Sequence, residues 1–244
     1  MTRETLDVLA ASDPRALRSR RDLQRVNRFL GTRRTLVRAV QSVIEQRSGD
    51  LPLRMLELGS GDGSLMLHIA QELSESWPAV QLTLLDRLML VAADTSVAFA
   101  RLGWSVEILS VDVLDWAAAP LPPHLPPRWD VIVTNLFLHH FDDLRLPDLL
   151  SAIAARCNSF IACEPRRAPL ALVGSHLIGA LGVSRVTRED AVLSVHAGFR
   201  DAELSAVWQT DPDWQLEEHA TGLFSHFFSA ARRASRGAEI TDAN

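Results

Sequence analysis

Three glycines at alternate positions, Gly59, Gly61 and Gly63, constrain this chain more than any other feature. They follow a short apolar run (Met55, Leu56, Leu58) and precede a helical pattern of Leu65, Leu67, Ile69, Ala70 and Leu73. That order predicts a strand, a tight turn and a helix. Glycine admits backbone angles that a side chain forbids, and it lets a ligand approach the main chain. The first turn of the following helix aims unpaired N–H groups at the same place. The stretch is therefore a candidate nucleotide-type site.

The alternation continues downstream. Strands are predicted at 53–58, 80–85, 105–109, 130–134 and 159–163, with helices at 64–76, 88–102 and 144–155 and a Pro-rich loop over 117–128. Strands alternating with helices imply a parallel sheet covered on both faces. Near the end, 214–219 and 223–230 are β-like runs around Ala220-Thr221-Gly222, a hairpin signal. The expected fold is α/β, a doubly wound, mostly parallel seven-stranded sheet with a C-terminal antiparallel hairpin. Upstream, 1–13 reads as loose. Asp13-Pro14 starts an amphipathic helix ending near Gly31, and Thr32 caps a second one. The expected organisation is an N-terminal helical segment (1–50), the ligand-binding domain (51–231) with a helical lid inserted at 166–208, and a flexible tail (232–244).

At 244 residues the chain can bury one sizeable core. Its net charge of −5 argues against nucleic acid as a partner. All 25 basic residues are arginine. Arg18, Arg20, Arg21, Arg25, Arg28, Arg33, Arg34 and Arg38 make the N-terminal helices locally basic. They read either as solvated helix faces or as a source of one or two arginines lining a pocket for an acidic substrate. Cys157 and Cys163 flank a predicted buried strand, where they would lie about 20 Å apart, beyond the reach of a disulfide. Free buried thiols fit a cytoplasmic protein. The first residues lack the apolar core of a signal peptide, and no apolar stretch reaches membrane-spanning length. A small molecule is the expected partner, and the chain is expected to be a monomer or homodimer.

Two kinds of nucleotide site share a strand-glycine-helix start. The dinucleotide fingerprint wants glycines at its first, third and sixth positions. Those positions hold Gly59, Gly61 and Ser64, and Asp62 inside the turn would sit poorly beside a pyrophosphate. An NAD-dependent oxidoreductase is the alternative that this departure weakens. The stretch Glu57-Leu-Gly-Ser-Gly-Asp-Gly63 instead resembles the first motif of class I S-adenosylmethionine-dependent methyltransferases, small-molecule type. The resemblance extends along Leu53–Glu164. Leu82-Thr-Leu-Leu-Asp86 supplies an acid at the end of the second strand, followed by Arg87. Asp112-Val113 follows the third strand, and Trp129–Asn135 with Leu136-Phe-Leu-His139-His140 resembles the fourth motif. Glu164-Pro165 follows the fifth strand.

The resemblance implies S-adenosylmethionine as cofactor and S-adenosylhomocysteine as product. It places Glu57 and Asp62 close to the methionine moiety, with the backbone of Gly59, Ser60 and Gly61 under the cofactor, Asp86 at the ribose, and Arg87 among the cofactor-binding residues. Asp112 and Val113 fall at the adenine, and Asn135 and Leu136 beside the methyl donor. His139 or His140 is the expected base, with His196 a further candidate. No metal is expected: adjacent histidines on a strand point to opposite faces. The expected reaction is methyl transfer to an oxygen, or an activated carbon, of an aromatic or polyketide-like metabolite. The apolar lid residues Leu170, Leu172, Val173, Leu177, Ile178 and Leu181 suggest that acceptor. A non-catalytic S-adenosylmethionine binder is a second alternative.

Overall fold

A computed structural model of the chain describes residues 4–10, 13–47, 51–73, 77, 79–178, 182–208 and 212–233. At its centre lie β1 (Leu53–Leu58), β2 (Val80–Asp86), β3 (Trp104–Ser110), β4 (Trp129–Asn135) and β5 (Cys157–Pro165), all parallel. The sheet continues into β6 (Trp214–Thr221) and β7 (Ser225–Arg232), and its order is β3-β2-β1-β4-β5-β7-β6. β7 runs antiparallel to both its neighbours.

The apolar runs explain the double covering. Successive strand side chains point to opposite faces, so a central strand needs apolar residues at nearly every position. In β1, Leu53 and Met55 join a cluster with α3 (Thr32–Glu45), α4 (Ser64–Leu73) and α5 (Ala93–Arg101). Leu56 and Leu58 join the opposite cluster, with α6 (Val113–Ala118), α7 (Leu146–Arg156) and α10 (Glu203–Val207). Trp208, expected in the lid, belongs to this second core, stacked 5.4 Å from Phe160. The segment expected as a lid also contains α8 (Pro169–Leu177) and α9 (Arg185–Ala197). Cys157 and Cys163 both lie on β5, free and buried, and burial pushes each thiol up to about 12.

Several local expectations are corrected. Helix 88–102 shortens to Ala93–Arg101, and the stretch read as loop begins with α6, capped by Asp112. Gly31, at φ 71, ends α2 (Pro14–Leu30) and precedes α3, while Thr32 is buried inside that helix. The hairpin turns two residues later than expected, over 222–224, with Gly222 at φ 67. The segment 1–13 is not loose throughout: α1 (Thr5–Val8) is held by Asp190 of α9, which accepts from Thr5 N at 2.7 Å and Leu6 N at 2.9 Å. Arg232 closes β7, and 234–244 lie outside the described residues. Among the described residues no helix is long and apolar enough to cross a membrane.

Glu218 of β6 ties the hairpin to α10. It accepts from Leu204 N at 3.0 Å and Ser205 N at 2.7 Å, and meets His226 Nε2 at 2.7 Å. Burial pushes its carboxyl up, but the bonds from His226, Ser205 and Leu204 outweigh it and hold the group below 4.5. Such a group stabilises the fold above its ordinary value and loses that contribution as pH falls through its folded value. Glu218→Gln should cost about 1–3 kcal/mol at neutral pH. Chemical denaturation against pH should show the gap from wild type closing below pH 4.5.

Candidate active site

The strand order reverses between β1 and β4: β2 and β3 lie to one side, β5 to the other. Beyond the carboxyl ends of such a pair the chain leaves in opposite directions and opens a crevice. A cavity of about 830 Å³ lies there. On its β1–β3 side it is lined by Glu57, Gly59, Ser60, Gly61, Asp62, Asp86, Arg87, Asp112 and Val113. On its β4–β5 side Asn135, Leu136, His139 and His140 line it. His196 does not: it is exposed and absent from the lining.

The glycine turn is built by sterics. Gly59 has φ 71, and a Cβ there would fall 2.3 Å from the Phe137 ring. A Cβ on Gly61 would meet nothing within 4 Å, so that backbone faces open space. Asp86 braces the turn, accepting from Gly61 N at 2.9 Å and from Leu88 N at 2.9 Å. Asp62 accepts from Ser64 N at 3.0 Å and from Gln24 Nε2 of α2 at 2.6 Å. Asp112 accepts from Leu114 N at 2.8 Å, so it caps α6 while it lines the cavity.

Glu57 is different. It is 2 % exposed, and its Oε2 is buried without a partner. Burial pushes its carboxyl well above the usual range, and the nearby Asp62 and Asp86 push the same way. Asn135 Oδ1 is likewise buried and unpartnered. Two orphaned acceptors lining one cavity, among three carboxylates, suit a cationic ligand and repel a pyrophosphate.

On the β4 side, Leu136 takes φ 51, an uncommon backbone for a leucine. The chain then enters a 3-10 turn, Leu138–His140. Buried Glu164 at the end of β5 organises it, accepting from Phe137 N at 3.0 Å, Leu138 N at 2.9 Å and His139 Nδ1 at 2.8 Å. The other ring nitrogen, His139 Nε2, lies 3.5 Å from Glu4 Oε1. Burial opposes a charged His139, but Glu164 and Glu4 outweigh it and raise its pKa to about 9. A carboxylate stands at each ring nitrogen of His139, and both expected bases, His139 and His140, line the cavity. The geometric ground for excluding a metal is corrected. His139 and His140 stand on a turn rather than a strand, and Glu4 joins them with all three ligand atoms within 4.8 Å.

The cover also differs from expectation. Ala171, Gly174, Ser175 and Ile178 line the cavity, while Leu170 and Val173 are 64 % and 55 % exposed. Spacing of three and four puts the lining residues on one helix face, small at Ala171, Gly174 and Ser175 and bulky at Ile178, which was an expected lid residue. Leu181 lies outside the described residues. Helix α2 completes the cover through Arg20, Leu23, Gln24 and Val26. Arg20 is the described arginine of the N-terminal cluster that lines the cavity. Buried Asp22 pins α2 to α9, accepting from Ser184 N at 2.8 Å and Thr187 Oγ1 at 3.2 Å. Glu4, Asp22, Gln24 and Asp190 have no sequence motif; their roles arise from long-range contacts.

No family model matches the chain, and no curated protein matches it in sequence. Solved structures do match. The plantazolicin methyltransferase BpumL in complex with SAH aligns over 91% of this chain and 92% of its own at a TM-score of 0.62 and 15% identity. BpumL with a monoazolic desmethylPZN analog and SAH aligns equally far, with a TM-score of 0.61 and 15% identity. An O-methyltransferase family protein from Burkholderia thailandensis aligns over 91% of this chain and 61% of its own at 0.55 and 15% identity. The chain has the class I methyltransferase fold. The crevice between β1 and β4, with its glycine turn, is the candidate site within that fold.

Glu57 generates a prediction with opposite signs. An unpaired buried carboxylate opposes folding once ionised, so its stabilising protonated form is lost as pH rises above 4.5 through the raised folded value. Glu57→Gln should raise the Tm of the ligand-free protein at neutral pH and flatten its decline with pH. The same variant should weaken binding of S-adenosylmethionine at least tenfold by calorimetry.

Proposed function

We propose that the chain is an S-adenosylmethionine-dependent methyltransferase acting on a small-molecule acceptor, at an oxygen or activated carbon of an aromatic or polyketide-like metabolite. The observation that carries the reading is the buried, unpartnered Glu57 Oε2 beside the open glycine turn. S-adenosylmethionine has an ammonium and a sulfonium but no pyrophosphate, so it fits where a dinucleotide would be repelled. The same fold in BpumL holds SAH. Glu57 and Asn135 would hold the methionine end, with Gly59 and Gly61 passing beneath it. Asp86 would take the ribose hydroxyls on its remaining lone pairs, and Asp112 and Val113 would meet the adenine.

When bound, that group supplies a methyl on a positively charged sulfur. The protein's own contribution is placement and dryness. Leu136 and the turn after β4 set the acceptor side of the crevice. Glu164 holds His139 in one orientation, so the acceptor side of the crevice has a fixed wall. Helices α2, α8 and α9 close the top and exclude water. The small residues Ala171, Gly174 and Ser175 of α8 leave room for a planar acceptor, with Phe141 and Phe224 also on the lining.

The reading is tested with methyl-labelled S-adenosylmethionine and a panel of phenols, enols and amines. Label on a phenol or enol oxygen or its adjacent carbon is the expected result. Transfer to an amine alone would overturn the acceptor class. Absence of any S-adenosylmethionine binding would overturn the reading as a whole. Asp86→Asn should weaken donor binding by about tenfold or more, since it removes a charged acceptor.

A further inference from the structure

The cavity carries a second polar cluster, apart from the glycine turn. Glu4, just before α1, meets His139 and His140, with one ligand-type atom from each within 4.8 Å of the others. His139 Nε2 and Glu4 Oε1 are 3.5 Å apart, and two donors bound to one small divalent ion lie about 3–3.5 Å apart given bonds near 2.0–2.2 Å. All three residues line the cavity.

The cluster is braced from behind. Glu164 Oε2 lies 2.8 Å from His139 Nδ1, which sets the ring so that Nε2 faces Glu4. A carboxylate behind an imidazole in this way is the usual support of a metal-binding histidine. Glu4 is braced by a hydrogen bond from Ser194 Oγ, and its segment by Asp190. His139 is 3 % exposed, Glu164 behind it is wholly buried, and Glu4 is 13 % exposed. Glu4 and Glu164 bring two carboxylates to the cluster, whose negative charge a divalent cation would offset.

We propose that Glu4, His139 and His140 form a divalent-cation site on the acceptor side of the cavity, with Glu164 as its positioning residue. Two imidazoles and one carboxylate suit zinc, iron(II), cobalt(II) or nickel(II), whereas magnesium and calcium favour all-oxygen sets. Three protein ligands leave coordination positions open toward the cavity. Resting on the proposed methyl transfer, the site narrows the acceptor to one with a metal-binding oxygen, a phenol or an enol. Such an oxygen gives up its proton to solvent more readily when bound to the ion, so His139 need not act as a base.

The test uses full-length, tag-free protein titrated with cobalt(II), followed by visible absorption and calorimetry. One ion per chain is expected, with ligand-field bands of a site containing nitrogen donors. Glu4→Gln and His140→Gln should each weaken it at least tenfold, and Glu164→Gln by about 10–100-fold. Circular dichroism and Tm should show that the Glu4 and His140 variants remain folded. The absence of saturable binding would overturn the proposal. Equal affinity in the Glu4→Gln/His140→Gln double variant, or magnesium binding as tightly as cobalt, would also overturn it. Cobalt binding with the expected variant losses supports the site even if no acceptor is methylated, an outcome that would overturn the proposed reaction alone.

Discussion

The crevice depends on the carboxylate of Glu164. It is wholly buried, yet it accepts from the backbone of the turn after β4 and from the His139 ring. Those bonds offset the cost of burying a charge. They also fix Phe137, whose ring comes so close to Gly59 that no side chain fits there. One acid on β5 therefore connects the exit of β4 to the turn after β1. The two walls of the crevice are set against each other before any ligand arrives, which is the preorganisation that a transfer reaction needs.

Opposite this satisfied acid stands an unsatisfied one. Glu57 lies on the same sheet, equally buried, but one of its oxygens has no partner. The contrast is informative because both residues are glutamates at carboxyl ends of central strands. Glu164 is spent on structure. Glu57 is held at a cost to stability, and a cationic ligand would relieve that cost. Stability surrendered at a buried polar position is characteristic of binding sites.

The sheet was legible from sequence because it is covered on both faces. Its strands need apolar residues toward both faces, and Leu53, Met55, Leu56 and Leu58 of β1 and Trp129, Val131, Ile132 and Val133 of β4 supply them. The glycine turn and Asp86 were legible because few residue types tolerate their geometry or supply their charge. The rest failed for physical reasons. Ile178 on the α8 face was legible, but Ala171, Gly174 and Ser175 beside it give little hydrophobic signal, so the bulkier, outward-facing Leu170 and Val173 attracted the reading. Glu4 reaches His139 only because Asp190, far along the chain, holds the segment that follows it. The adjacent histidines looked incompatible on a strand and become compatible on a 3-10 turn.

Burial holds the Glu57 carboxyl well above its usual range, and a cation seated against its unpartnered oxygen would pull it back down. Proton release on binding reads this directly: S-adenosylmethionine is titrated calorimetrically at mildly acidic pH in two buffers of different ionisation enthalpy. The account predicts net proton release on binding, lost in Glu57→Gln. Binding with no proton release, or release unchanged in that variant, would contradict it.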